Sequence, residues 1–166
     1  GPEGKVIGID ITPEMINKAK KIAKKYNYEN VEFKLGEIEN IPLDDNVVNL
    51  IISNCVINLS PDKYKVFREA YRVLKPGGRI IISDIVLTKE LPDFIKNDKN
   101  AYVSCISGAI IKDKYLKIIK NAGFIDIEVL HEMKFPVSFT DSNLVADMKA
   151  VEKSVLSIKV SAIKGK

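Results

Sequence analysis

The chain has 166 residues, 46% hydrophobic and 29% charged, with 26 basic and 22 acidic side chains and a formal charge of +4. This is the composition of one globular domain; it excludes a disordered chain, which needs few apolar residues and a large net charge, and a membrane-spanning helix, since no run approaches ~18 apolar residues. A chain of this size buries enough surface to hold a core without disulfides or structural metal.

The sequence starts at Gly1 and reaches Lys5-Val6-Ile7-Gly8-Ile9-Asp10 almost at once, so the first strand has little before it. Thr12-Pro13-Glu14 then opens a helix, with Thr as N-cap, Pro at the first helical position and an acid in the first turn. Its apolar residues Met15, Ile16, Ala19, Ile22, Ala23 and Tyr26 recur at i+3 and i+4. Val31 to Leu35 alternates as a second strand, and Val47 to Ser53 is a third, with Val48, Leu50, Ile51 and Ile52 as a buried run. Ser60-Pro61-Asp62 repeats the helix-opening pattern, and Tyr64, Phe67, Ala70, Tyr71 and Leu74 form the inner face that follows. Lys75-Pro76-Gly77-Gly78 turns the chain into the apolar strand Arg79 to Leu87, a run suited to cover on both faces. Residues 92 to 103 read as a helix and Cys105 to Gly108 as a loop. Lys112 to Ala122 is a helix with Gly123 as its cap, Phe124 to Leu130 a strand, Leu144 to Ala150 a helix, and Ser154 to Ile163 the last strand.

Alternation of strand and helix predicts a mostly parallel sheet with helices on both faces, and ligands in such folds sit outside the carboxyl ends of the strands. That rule selects Asp10, the turn Gly36-Glu37-Ile38, Asn54-Cys55 and Asp84. Asp10 can accept from a ribose diol or serve as a capping acid; Glu37 can accept from an adenine amino group while the Ile38 N–H reads the ring edge, or the turn can be plainly polar. Asp84 either faces the cleft or caps, and His131, the only histidine, reads as a surface residue. The two cysteines lie fifty positions apart without zinc-type spacing, and the lysines of the first helix lack the stacking or base-reading partners of a nucleic-acid site.

Three stretches, Val6 to Asp10, Gly36-Glu37-Ile38-Glu39-Asn40-Ile41-Pro42 and Leu74-Lys75-Pro76-Gly77-Gly78-Arg79, resemble in order and spacing the motifs of class I S-adenosylmethionine-dependent methyltransferases. A narrower resemblance covers almost the whole chain. Gly8 to Met15, Ile52 to Lys63 (with Asn54-Cys55-Val56-Ile57-Asn58), Ile82 to Leu87 and Tyr102 to Ala109 are similar to the arsenite methyltransferases, and the stretches around Cys55 and Cys105 separate that family from methyltransferases of quinones or sterols.

The resemblance implies a Rossmann-like α/β sheet of order 3-2-1-4-5-7-6 in a single domain over residues 1–166. It implies that Asp10 binds the ribose of S-adenosylmethionine, that Ile11 and Met15 pack near the adenine, that Glu37 and Ile38 contact its edge, and that Asn54 lies near the methionine part. Cys55 and Cys105 would hold trivalent arsenic, a soft centre that prefers thiolates, with its lone pair exposed toward the transferred methyl; a thiol reductant is implied as a partner. Position rather than a strong base then does the chemistry. The family's GxGxG loop is missing, since the sequence contains no GxG, and so is its further upstream cysteine. The expectation is a domain lacking the first strand and helix, with weak cofactor binding and impaired activity. The edges at Val6 to Ile9 and Val47 to Ser53 would then either pair directly or be filled by a second copy in a homodimer. A cytoplasmic location, with no nucleic-acid or membrane partner, completes the reading. Alternatives are a methyltransferase of a small organic acceptor such as a quinone, and a non-catalytic remnant that self-associates.

Overall fold

A computed structural model describes residues 3–90, 106, 108–136 and 154–166. The helices expected at 92–103 and 144–150, together with Tyr102 and the expected arsenic ligand Cys105, lie outside the described residues. In chain order the elements are β1 (Val6–Asp10), α1 (Pro13–Lys25), β2 (Val31–Leu35), β3 (Val48–Asn54), a 3-10 turn (Ile57–Leu59), α2 (Lys63–Val73), β4 (Leu74–Leu87), α3 (Lys112–Asn121), β5 (Phe124–Lys134) and β6 (Val155–Lys164).

Two sheets result. One is the parallel pair β1-β2, and the other has the order β3-β4-β6-β5. These are the two flanks of the expected order 3-2-1-4-5-7-6 on either side of its position 1. No described residue supplies a strand there, and β1 and β3 do not pair with each other among the described residues. The expectation of a mostly parallel sheet holds only for β1-β2 and β3-β4, because β6 runs antiparallel to both β4 and β5. Lys75 to Gly78 lies within β4: Val48 pairs with Leu74 but Leu50 with Arg79, so the intervening residues loop out of register, aided by Gly77 at φ 77°.

The main core lies between the larger sheet and helices α2 and α3. Phe67 and Tyr115 meet edge to face with ring centroids 5.5 Å apart, and Tyr71 meets Phe124 the same way at 5.2 Å. Ile80, Ile82, Val86, Ile158 and Val160 complete it from the strands. The sequence pattern overstates burial elsewhere. Ile52 is 73% exposed and Leu50 is also exposed, because no described element covers that face of β3. On α1 only Ile16 and Ala23 are buried, since this helix covers a two-stranded sheet too narrow for its whole apolar stripe. Tyr64, expected inside, is exposed, whereas Val66 and Val73 are buried.

The helix caps differ in detail from the expected pattern. Thr12 occupies the N-cap of α1 without a side-chain cap bond; its own N–H donates to Asp10 Oδ1 at 2.8 Å. At α2 the cap is Asp62, whose carboxylate accepts from the Lys65 N–H at 2.9 Å, while Ser60 Oγ accepts from the Asp62 N–H. No helix among the described residues is long and apolar enough to cross a membrane.

Candidate active site

The first group of site residues forms where β1 and β2 end side by side. The Gly36 N–H donates to the Asp10 carbonyl at 3.0 Å, and Asp10 Oδ1 folds the chain into α1 through Thr12. The carboxylate is therefore already a turn acid, whatever else it accepts. Beside it Ile11 is 65% and Met15 51% exposed, two apolar side chains left in water at a strand end. Glu37 is exposed and closes a short turn, with the Asn40 N–H donating to the Glu37 carbonyl; Ile38 is half-buried against the main core.

The second group forms where β3 and β4 end. Asn54 is the exposed last residue of β3. Cys55 follows with φ 56°, a left-handed conformation uncommon for a side chain other than Asn or Asp, and its N–H donates to the Ser83 carbonyl at 2.9 Å. The bend turns the chain out of the strand and leaves Cys55 half-buried against a small apolar cluster of Ile85, Leu87, Ile106, Ala109 and Val155. Asn58 fixes the same turn, donating from Nδ2 to the Ile85 carbonyl at 2.7 Å. A Cβ at Gly108 would overlap the Asn58 carbonyl oxygen, so a glycine there is what lets the two segments touch. Two buried acceptors beside Cys55, Ser53 Oγ and Asn58 Oδ1, have no hydrogen-bond partner among the described residues.

Asp84 neither faces a cleft nor caps a helix. It is 1% exposed on the core face of β4, accepts from the Ile85 N–H at 2.9 Å and receives the Tyr115 hydroxyl at 3.0 Å. Burial pushes its carboxyl up to about 6, against the opposing pull of these two donors and of Lys63. The same burial raises the Tyr115 phenol, with the charges of Asp84 and Cys55 adding to the effect. Lys63 is shifted down by desolvation; its Nζ donates to the Ser60 carbonyl at 3.2 Å and the Asn58 carbonyl at 3.4 Å. His131 is exposed on β5, opposite Lys159 and two strands across from Ser83 in the same row of the ladder.

A hydrogen bond between the Ser60 hydroxyl and Glu39 ties the two groups together, joining the turn that holds Glu37 and Ile38 to the segment that follows Cys55. A methyltransferase-domain family model matches residues 1–123. The chain belongs to the methyltransferase domain family. Its fold is that of the class I methyltransferases. It is 49% identical to an arsenite methyltransferase of Halobacterium salinarum over 129 residues, 78% of this chain and 33% of that protein. It is 38% identical to an arsenite methyltransferase of Aquipseudomonas alcaligenes, over 87% of this chain and 43% of that one. Among solved structures, the arsenic(III) S-adenosylmethionine methyltransferase of Chlamydomonas reinhardtii superposes with a TM-score of 0.85 at 32% identity, covering 99% of this chain and 57% of that one. The chain thus spans a third to two-fifths of the length of the curated relatives.

Sequence reasoning found the strand-end residues but missed three things around them. Tyr115 carried only the signal of an inward helix position, not that of a partner for Asp84. Asn58 carried no signal beyond lying in the Cys55 stretch. Glu69 and Arg72 stand at i and i+3 on α2, a visible local pair, yet their other partners lie 27 to 31 residues away in sequence.

Proposed function

We propose that this chain takes part in S-adenosylmethionine-dependent methyl transfer to trivalent arsenic held by cysteine thiolates. The observation that carries the reading is the Cys55 turn. A thiol sits on a strained left-handed residue at a strand end, in one apolar cluster with Ile106, the covalent neighbour of Cys105. Strain of this kind costs about 1–3 kcal/mol and concentrates at functional sites. Soft thiolates suit arsenic, and an arsenic centre bound by sulfur keeps its own lone pair as nucleophile, so no general base is required.

The residues at the end of β1 and β2 fit the cofactor. Ile11 and Met15 offer uncovered apolar surface for an adenine face, Glu37 offers an exposed acceptor, and Asp10 lies at a strand end beside them. Asn54 is the exposed last residue of β3, in the same segment as Ser53 Oγ and Asn58 Oδ1, two buried polar atoms with no hydrogen-bond partner among the described residues, which suits the polar amino-acid portion. S-adenosylmethionine, when bound, supplies an electrophilic methyl group. Asp10, Glu37 and Ile38 hold and orient it, and Cys55 and Cys105 hold the acceptor. Because the sequence has no GxG, the 166 residues alone bind the cofactor weakly and turn over slowly. The chain works in a reducing compartment, the cytoplasm, with a thiol reductant keeping the cysteines available.

Arsenite titration of the reduced chain is expected to give one bound arsenic with thiolate-to-arsenic ultraviolet absorption, and methylated arsenic is expected by mass spectrometry once S-adenosylmethionine and thiol are added. A chain that neither takes up arsenite nor methylates it sinks the reading.

Self-association through the open edges of β1 and β3 belongs to the same proposal. Each strand is paired on one side only among the described residues, and β3 carries neither Pro nor charge to discourage an incoming strand. Sedimentation velocity is expected to show a dimer that grows with concentration; a monomer at every concentration would refute it.

A further inference from the structure

The two sheets share no ladder among the described residues, so the turn carrying Glu37 and Ile38 is set relative to the turn carrying Cys55 by the Ser60–Glu39 bond and by the loop between β2 and β3. That loop is gripped from α2. Arg72 Nη2 donates to the Ile41 carbonyl at 2.9 Å, and Nη1 donates to the Leu43 carbonyl at 2.8 Å and to Asp45 Oδ1 at 2.7 Å. Glu69, one turn earlier, takes the other edge of the guanidinium, from Nε at 2.8 Å and Nη2 at 2.7 Å. Its Oε2 also accepts from the Ile41 N–H at 2.9 Å. One planar ion pair therefore holds both polar groups of Ile41 and the carbonyls on either side of Pro42. The fork geometry makes such a pair directional as well as strong. The guanidinium holds the Glu69 carboxyl below its usual range, as expected of a pair in register.

The grip is transmitted forward. Pro42 lies over Gly36, where a Cβ would come within 2.7 Å of the proline ring, and Gly36 immediately precedes Glu37. Gly36 is itself bonded to Asp10 through its N–H. Moving Ile41 and Leu43 therefore moves the ring that seats the adenine-edge turn against the end of β1.

We propose that Arg72 and Glu69 are positioning residues for the cofactor, a clasp on α2 that sets where Glu37 and Ile38 meet the adenine edge without touching it. The inference rests on the reading of Glu37 and Ile38 given above and adds the side chains that hold them in place.

The test uses Arg72→Lys, which keeps the charge but not the fork, and Glu69→Gln, which keeps the shape but not the charge. Amide hydrogen exchange on the full chain is expected to speed up at Ile41 and Leu43 by about tenfold or more, the effect of losing a charge-assisted bond, while amides of β4 and β6 keep their protection. The dissociation constant for S-adenosylmethionine is expected to rise by about the same factor, with arsenite uptake unchanged. A purely structural role would lower both affinities together and deprotect the larger sheet. That result, or unchanged exchange at Ile41 in both variants, overturns the clasp. Failure of the unaltered chain to take up S-adenosylmethionine would count against the cofactor reading, and loop exchange would still decide the clasp.

Discussion

Cys55→Ser is expected to abolish the proposed arsenite uptake by the reduced chain while leaving its unfolding transition in place. Serine has nearly the same volume and keeps the backbone bond from residue 55 to the Ser83 carbonyl, so the turn survives. It replaces a soft, ionisable ligand with a hard hydroxyl that does not bind trivalent arsenic as a thiolate does. Loss of an outer-shell partner alone costs metal sites about 10–100-fold in affinity, and loss of a ligand exceeds that. The thiolate-to-arsenic absorption should vanish, and methylated arsenic with it. Cys105→Ser should have the same direction. The pair of variants also separates the acceptor classes: a methyltransferase of an organic acceptor such as a quinone has no need of either thiol. Full activity in both serine variants would exclude arsenic as the substrate.

The second large effect belongs to Asp84 and is a dependence of stability on pH. Its carboxyl stands at about 6 in the folded chain, against 3.8 for the unperturbed group, because the core desolvates it. The folded state therefore binds the proton more tightly than the unfolded state. The stabilisation from this group is fully present below about pH 4 and is lost as the pH rises through about 6. Above that, the fold carries a buried carboxylate at a cost on the order of 3 kcal/mol, what remains after the Ile85 N–H, the Tyr115 hydroxyl and Lys63 have favoured the charge. Asp84→Asn removes the titration but keeps an acceptor for these donors. The difference in unfolding free energy between the two proteins, from urea titrations between about pH 4 and pH 8, should shift toward the variant by about 2–3 kcal/mol across the interval. A difference that stays flat with pH would contradict this account. Asp84→Ala is the contrasting change, since it leaves the Tyr115 hydroxyl buried without its acceptor, at a cost of about 1–3 kcal/mol at every pH.

Much of this molecule is legible from local chemistry. β1, β2 and β3 fall within a residue or two of their expected spans, because apolar runs bounded by turn residues leave few choices, whereas β4 begins at Leu74, five residues before the expected Arg79. Gly123, at φ 109°, ends α3 as a glycine cap should. What local chemistry does not contain is cover. Ile51 and Ile52 are adjacent and identical, yet one packs on the core and the other is exposed, a difference set by what lies across the sheet. The same limit applies to caps. Ser60 and Asp62 both suit a helix start; Asp62, directly before the helix, takes the role, while Ser60 accepts from the Asp62 N–H and donates to Glu39, a residue far back in the chain. At the candidate site the strand-end rule and the resemblance named the residues, and the structure assembles Asp10 with Gly36 and Cys55 with Ser83. The buried Asp84–Tyr115 pair and the Arg72–Glu69 grip were out of reach because each joins segments about thirty residues apart through single side chains.

The left-handed residue at position 55 has a consequence for engineering. Glycine at 55 would relieve the backbone strain, and asparagine or aspartate would ease it. Any selection for thermal robustness alone would therefore favour removing the thiol, trading the proposed chemistry for stability at one codon. A stabilised version of this domain has to gain its margin elsewhere, on the exposed face of β3 or the half-covered stripe of α1, and leave residue 55 strained.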